Sequence, residues 1–451
     1  MSRRVVISGL GPVSGVGLGI EPTWEAAQAG RSAIGPIKAF DPAAFPCRIA
    51  AEVADFKVSA FVPKSYRKAV KVMARDIELA VAAADLAARD ALLTTRGTAG
   101  AEGAAVSYPP ARVGAHIGAG LIAAEINEIT DALDKSRNEA GLFDIHKWGR
   151  EGMNQLTPLW LLKYLPNMLA CHVTIIHDAR GPSNTITCSE ASSGLSIGES
   201  LRVIQRGAAD ASFCGGAESP LNLMSLMRQH MTGRLNFHDN DHPRQALRPF
   251  CRSAAGTVVG EGGAIVILEA RDSFLARRAQ APAGDAAPRA YAEVAGFGAS
   301  QTVHPESRNM LPDPQGRSIA AAIRAAMKEA GLGPDQIDLI VPFGSAIPAC
   351  DQAEAAALRT VLGAHLARVP VVSFKPLVGN CAAGSGGLDV CLAARALLAQ
   401  TVPATVNCAQ PLEGLCAATA PAHPAALRHA LVFSCGMGGQ NAALILRRIE
   451  P

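Results

Sequence analysis

Short apolar runs rich in β-branched residues recur along this chain, and alanine-rich helical stretches separate them. The runs "RVVISGLG", "ASFCGGAES", "GGAIVILEA", "IDLIVPFG" and "RHALVFSCGMGGQNAALILRR" have the length and composition of strands. Stretches such as "SIAAAIRAAMKEAGL" carry the period of an amphipathic helix. Alternation of this kind predicts layered α/β units in which helices cover a sheet. Aromatic residues are only 4% of the chain while glycine numbers 43, a balance that lets helices approach a sheet closely. With 451 residues, 49% of them apolar, there is material for a large core in about two or three domain-sized units.

The formal charge of +3 is small for this length and provides no whole-molecule field to attract nucleic acid or an anionic membrane, so neither is expected as a partner. Eleven cysteines are scattered without a Cys-x-x-Cys pair, which predicts reduced thiols in a cytosolic protein, most of them small buried hydrophobes. Arg3 and Arg4 precede an apolar stretch in the manner of a signal peptide. Gly, Pro and Ser interrupt that stretch too often, and "RVVISGLG" is read instead as a buried first strand. No run approaches the roughly 18 apolar residues of a membrane span. A cytoplasmic location is expected.

Two stretches poor in large apolar residues, 95–112 and 277–291, are predicted to be insertions or linkers. The second divides the chain into residues 1–276 and 292–451. Gly-Gly doublets at 215–216 and 438–439 give a weak hint of duplication. The helix after residue 317 is expected to be capped by Ser318 and to end at Gly331.

The segment "GPSNTITCSEASSGLSIGESLRVIQRGAADASFCGGAES" resembles the β-ketoacyl-[acyl-carrier-protein] synthases of the thiolase superfamily. "RPFCRSAAGTVVGEGGAIVILEA", "GSAIPACDQAEAAAL", "SFKPLVGNCAAGSGG" and "SCGMGGQNAALIL" follow in the family's order, so the resemblance spans nearly the whole chain. It implies a five-layered αβαβα fold built from two similar halves, and an obligate dimer. It also implies chemistry on acyl chains carried by the phosphopantetheine arm of an acyl carrier protein, with no permanently bound cofactor and no metal. In that chemistry a cysteine takes the acyl chain and two histidines assist decarboxylation of the malonyl unit.

All three reacting positions depart from the family. Counting forward from Gly181-Pro182-Ser183, or back from Ile197-Gly198, places Glu190 where the nucleophile belongs. Cys188 satisfies neither count and is expected to be a small buried residue. A carboxylate is comfortable at a helix start, but its attack on a thioester would give a high-energy mixed anhydride. Phe343 stands in place of the first histidine, with Gly344, Pro348, Asp351 and Glu354 kept; Asn380 stands in place of the second, after Lys375 and Gly379. Phenylalanine transfers no proton, and asparagine shuttles none near neutral pH.

No catalytic residue is therefore expected. Lys375 and Asp389 are expected as a buried ion pair, and Gly436, Gly438 and Gly439 as framework, with Cys435 and Met437 where synthases carry phenylalanines. This combination resembles the chain-length factor of type II polyketide systems, a subunit that pairs with an active ketosynthase. The resemblance implies a heterodimer in polyketide or specialised fatty acid synthesis. The alternatives are a Glu190-dependent malonyl-carrier decarboxylase that primes chains, and a homodimeric acyl-binding scaffold.

Other sites weigh less. Cys435 in "CGMGG" resembles the second cysteine loop of degradative thiolases, but their Gly-His motif is missing. "NFHDNDHPR" at 236–244 lacks a regular ligand spacing and is read as a solvated loop. His172 and His177, near Cys171, are expected in the core or a dimer interface rather than as a dyad. Lys64, Arg67, Lys68 and Lys71 are expected on a helix capped by Ser65. They form either an ordinary solvated face or a docking face for the acidic carrier protein.

Overall fold

Strand β1 (Val5–Ser14) is buried along its whole length. Helix α1 (Arg75–Asp90), strand β2 (Val113–Ala119), helix α2 (Met168–His177), strand β3 (Ser183–Ile186), helix α3 (Ser192–Gln205) and strand β4 (Ala211–Glu218) follow. Helix α4 (Leu223–Met231), strand β5 (Gly262–Ala270) and helix α5 (Arg271–Ala279) complete the framework of the first half, which also holds further elements such as the helices Ile20–Ala29, Ile126–Lys135 and Ile145–Arg150. The framework of the second half is β6 (Ala292–Gln301), α6 (Arg317–Ala330), β7 (Leu339–Val341), α7 (Pro348–Leu362), α8 (Ser385–Ala399), β8 (His429–Cys435) and β9 (Gln440–Arg447). The structure is a computed structural model and describes residues 3–99, 105–281, 287–307 and 310–450.

The strands form one mixed sheet in the order β7-β8-β9-β6-β1-β5-β4-β2-β3, and Gly17–Leu18 folds back on the end of β1. The halves join where Val6 and Ile7 of β1 meet Glu293 and Ala292 of β6. Outward from that seam the two halves repeat one plan. β1, β5 and β4 pair antiparallel in sequence, then β4 and β2 pair parallel; β6, β9 and β8 pair antiparallel, then β8 and β7 pair parallel. Helices α3 and α8 touch each other and fill the space between the half-sheets. α1 with α2 covers the first half-sheet outside, and α6 with α7 the second. These are five layers, as the resemblance implies.

Close approach of helix to sheet fixes the residue type at equivalent places in both halves. A Cβ on Gly9 or Gly11 of β1 would stand 2.2 or 2.0 Å from a carbonyl oxygen of α1, Ala87 or Ala83. A Cβ on Gly296 or Gly298 of β6 would stand 2.1 or 2.0 Å from Ala326 or Ala322 of α6. The repeated plan is therefore marked by the two Gly-x-Gly triplets at 9–11 and 296–298. The Gly-Gly doublets are not equivalent: 215–216 lies inside β4, and 438–439 lies in the turn between β8 and β9.

Three local expectations need correction. Gly316 at φ 60° precedes α6, and Ser318 donates its hydroxyl to Gln301 O at 3.0 Å, pinning the helix to β6 instead of capping it. Gly331 ends the helix at φ 69°, as expected. Residues 64–72 form tight 3₁₀ turns that start after Pro63, without a side-chain cap from Ser65. Residues 382–399 are long and apolar enough to cross a membrane, but 83% of that stretch is buried, because α8 is the helix clamped between the half-sheets. α5 runs to Ala279, within 277–291, and β6 begins at Ala292. Of the 95–112 stretch, residues 100–104 lie outside the described residues, and Pro110–Arg112 makes a 3₁₀ turn into β2.

Candidate functional site

The chain leaves β3, turns through Ser189 at φ 50°, and enters α3 through a short 3₁₀ turn, Ser189–Ala191. The left-handed serine swings the next side chain inward: Glu190 is only 1% exposed. Its Oε1 accepts from Arg234 Nη2 at 2.5 Å, and its Oε2 accepts from the backbone N–H of Met437 at 2.9 Å and from the Ser189 hydroxyl. Burial alone would push this carboxyl up. The Arg234 guanidinium and the two donors outweigh it, holding Glu190 below the ordinary glutamate range and ionised at neutral pH.

Arg234 is 5% exposed, and its Nη1 approaches Met437 Sδ at 3.7 Å. Nothing in "MTGRLNF" singles this arginine out, because it lies 44 residues from Glu190 and on no motif. A buried glutamate implies a buried cation, and that is the one sequence clue to its existence.

Cys188 is half-buried at the turn before Glu190, and burial pushes its thiol up. A thiol so placed is a poor nucleophile. Cys435, at the end of β8, is 7% exposed, and burial pushes it well above its ordinary value. Gly436 follows it so closely under the turn that a Cβ there would stand 2.7 Å from Cys188 O. Gly438 and Gly439 take φ 104° and 92°, which glycine tolerates, and carry the chain past Met437 into β9.

Phe343 follows β7 and is 1% exposed; Lys375 Nζ lies 5.5 Å from its ring centroid. Lys375 pairs with Asp389 on α8, both buried. Burial raises Asp389 to about 6 even against the lysine. Asn380 uses its side-chain oxygen locally, accepting from Ala382 N at 3.0 Å and Ser385 Oγ at 3.3 Å at the entry to α8. Asp351 accepts from Phe250 N at 2.6 Å and Ala346 N at 3.2 Å, and Glu354 from Gly344 N at 3.1 Å, so these two acids brace the loop that holds Phe343. Burial pushes both carboxyls up.

A cavity of about 400 Å³ opens beside Ser189, Met437 and Ala382, with Arg228 of α4 on its wall. Glu218 also faces it, accepting from Ala383 N at 2.9 Å. Burial, with Asp76 nearby, raises its carboxyl to about 8, so it is neutral at pH 7. The remaining candidates stand apart. His172 meets Tyr66 OH at 2.8 Å, and His177 meets Thr95 Oγ1 at 2.8 Å; they share no partner. In the 236–244 loop, Asp239 is taken by Arg248 at 2.7 Å and by Asn236 Nδ2 at 2.7 Å. Lys64, Arg67, Lys68 and Lys71 are all exposed.

Residues 2–273 match the β-ketoacyl synthase N-terminal domain and residues 291–409 the C-terminal domain. The chain belongs to the β-ketoacyl synthase family. It is 30% identical to a 3-oxoacyl-[acyl-carrier-protein] synthase 2 of Synechocystis and 31% identical to one of Vibrio cholerae, each over 99% of both chains. Among solved structures, that titled the ishigamide ketosynthase/chain length factor superposes with TM-score 0.82 at 26% identity over the whole of both chains. A β-ketoacyl synthase from Burkholderia phymatum gives TM-score 0.81 at 24% identity, which speaks for the shared fold. The thiolase-like α/β fold of the ketosynthases is thus the fold of this chain.

Proposed function

We propose that this chain is the non-catalytic, chain-length-factor-like subunit of a heterodimeric β-ketoacyl-[acyl-carrier-protein] synthase of polyketide or specialised fatty acid synthesis, acting in the cytoplasm. The observation that carries this reading is that Glu190, which the sequence spacing puts at the family's nucleophile position, is a buried carboxylate locked in an ion pair with Arg234. A locked carboxylate accepts no acyl group as a thioester, and Phe343 and Asn380 move no proton for the decarboxylation. The likeness to a ketosynthase/chain length factor structure supports it. The partner is an active ketosynthase with its Cys-His-His set intact, and the substrate is an acyl chain on the phosphopantetheine arm of an acyl carrier protein.

β3 lies at the sheet edge and pairs on one side only, with β2; Ser183 and Asn184 are exposed on it. Nearby α2 leaves Ile175 52% exposed. An unpaired strand edge beside exposed apolar surface suits strand addition from a partner of the same fold. Lys64, Arg67, Lys68 and Lys71 then serve as the carrier-protein docking face.

This reading expects a homologue with the Cys-His-His set intact to be encoded beside this chain, and the test is co-expression with such a ketosynthase, followed by sizing and an elongation assay from malonyl-carrier with each subunit alone and both together. The expected result is a one-to-one complex that elongates, with this chain alone inert. Carbon dioxide release by the isolated chain, altered by Glu190→Gln, would support the decarboxylase instead. A homodimer that ignores the co-expressed synthase would support the scaffold.

A further inference from the structure

At the end of the sheet opposite Glu190, β1 and β8 begin and β5 and β9 end. Five arginines meet there: Arg4, Arg271, Arg428, Arg447 and Arg448 line a hollow of about 450 Å³. The seven residues of β8 separate this hollow from Cys435 and Gly436, about 20 Å at the usual rise of a strand. It is a separate place from the cavity beside Glu190, and nothing in the proposed function uses it.

Carboxylates neutralise only part of this charge. Glu293 is shared, accepting from Arg4 Nε at 2.8 Å and lying 3.8 Å from Arg447 Nη1. Asp338 accepts the backbone N–H groups of Arg428 and His429 at 2.8 and 3.0 Å, and it stands 3.8 Å from an Arg428 side chain that is 70% exposed. Arg448 donates to the neutral amide of Gln400 at 3.1 Å. Among the described residues, neither Arg271 nor Arg448 has a carboxylate within 4.0 Å; Glu450 is the acid on the wall itself. His429 adds no charge. Its Nδ1 donates to Gln336 O at 3.0 Å, its Nε2 accepts from Arg447 Nε at 3.4 Å, and burial pushes the imidazole down. It orients Arg447 as a neutral ring.

A second hollow of about 510 Å³ adjoins the first, sharing Arg271 and Arg448 and adding the exposed side chains of Leu275 and Leu398. Guanidinium forks match pairs of phosphoryl oxygens, and no lysine lines either hollow. Each space falls within the usual range for a small-molecule site.

We propose that this groove binds a small organic phosphate, with a diphosphate held by Arg271, Arg428 and Arg448 and an apolar portion lying along Leu275 and Leu398. The test is calorimetric titration of the full chain with inorganic pyrophosphate and with ATP, at ionic strength fixed with sodium chloride. Saturable binding of both probes at one site per chain is expected, weakening as salt rises. Arg271 and Arg428 are both exposed, so Arg271→Ala/Arg428→Ala should keep the far-ultraviolet circular dichroism and unfolding midpoint of the parent while binding at least about tenfold more weakly. Arg137→Ala, at an exposed arginine that lines neither hollow, should bind like the parent. The proposal fails if neither probe saturates, if the double variant binds like the parent, or if Arg137→Ala weakens binding equally, which would mark diffuse attraction to surface charge.

Discussion

Replacing Arg234 by methionine probes the ion pair on which the functional reading rests. The Glu190 and Arg234 side chains are 2% and 5% exposed, so neither charge finds water if the other is removed. Unit charges about 4 Å apart attract by about 4 kcal/mol at an effective dielectric near 20, roughly what desolvating them costs, so the intact pair contributes little net. Breaking it is different: a lone buried carboxylate costs about 3–5 kcal/mol. Arg234→Met should lower the urea unfolding free energy by that amount at pH 7, and Glu190→Gln/Arg234→Met should recover most of it. The pH dependence has a definite sign. In the parent, Glu190 lies below its unfolded value, so its contribution is present above the unfolded pKa and lost as pH falls through the lower folded one. In Arg234→Met burial is opposed only by the Ser189 hydroxyl and the Met437 N–H, the folded pKa rises above the unfolded value, and stability should improve as pH falls toward 5. Urea titrations at pH 5 and 7 decide it. A loss below about 1 kcal/mol at pH 7, equal at both pH values, would refute the argument.

Placing a thiol beside the same arginine should activate it: Glu190→Cys should alkylate with iodoacetamide faster than Cys188 at pH 7, as peptide mapping would show, because Arg234 favours thiolate while burial holds Cys188 up. Gly298→Ala should cost about 1–3 kcal/mol in urea unfolding, since its Cβ would meet Ala322 O at 2.0 Å, and Gly11→Ala should do the same in the other half. Glu218 binds its proton more tightly folded than unfolded, so it makes stability decline as pH rises from about 4 to about 8. Glu218→Gln should flatten that decline, and a variant with the parent's pH profile would show that the carboxyl is not held neutral. Asp389→Asn leaves Lys375 buried without its anion and should cost about 3–5 kcal/mol by the same assay.

Most of the layer plan was legible because strands buried on both faces must be apolar and helices laid on them must be small-faced. The β1, β4, β5 and β8–β9 runs declare themselves for that reason. Local caps were less legible. Ser318 has the chemistry of a cap, yet Gln301 O on β6 offers its hydroxyl a better partner across space, and no local rule foresees a neighbour 17 residues away. The apolar 382–399 stretch was underread for a related reason: a helix sandwiched between two half-sheets loses its polar face, as a membrane span does.

By itself the sequence determined which side chains stand at 190, 343 and 380, a glutamate, a phenylalanine and an asparagine, whatever the packing. Tertiary structure alone decided what those residues became. Only the fold brings Arg234 and the Met437 amide onto Glu190, turns Asn380 to its own helix start, and gathers five arginines at the far end of the sheet. The reason is distance along the chain. Charges that set one another's ionisation here lie tens to hundreds of residues apart, and their energies depend on separations of a few ångströms that no spacing in the sequence encodes.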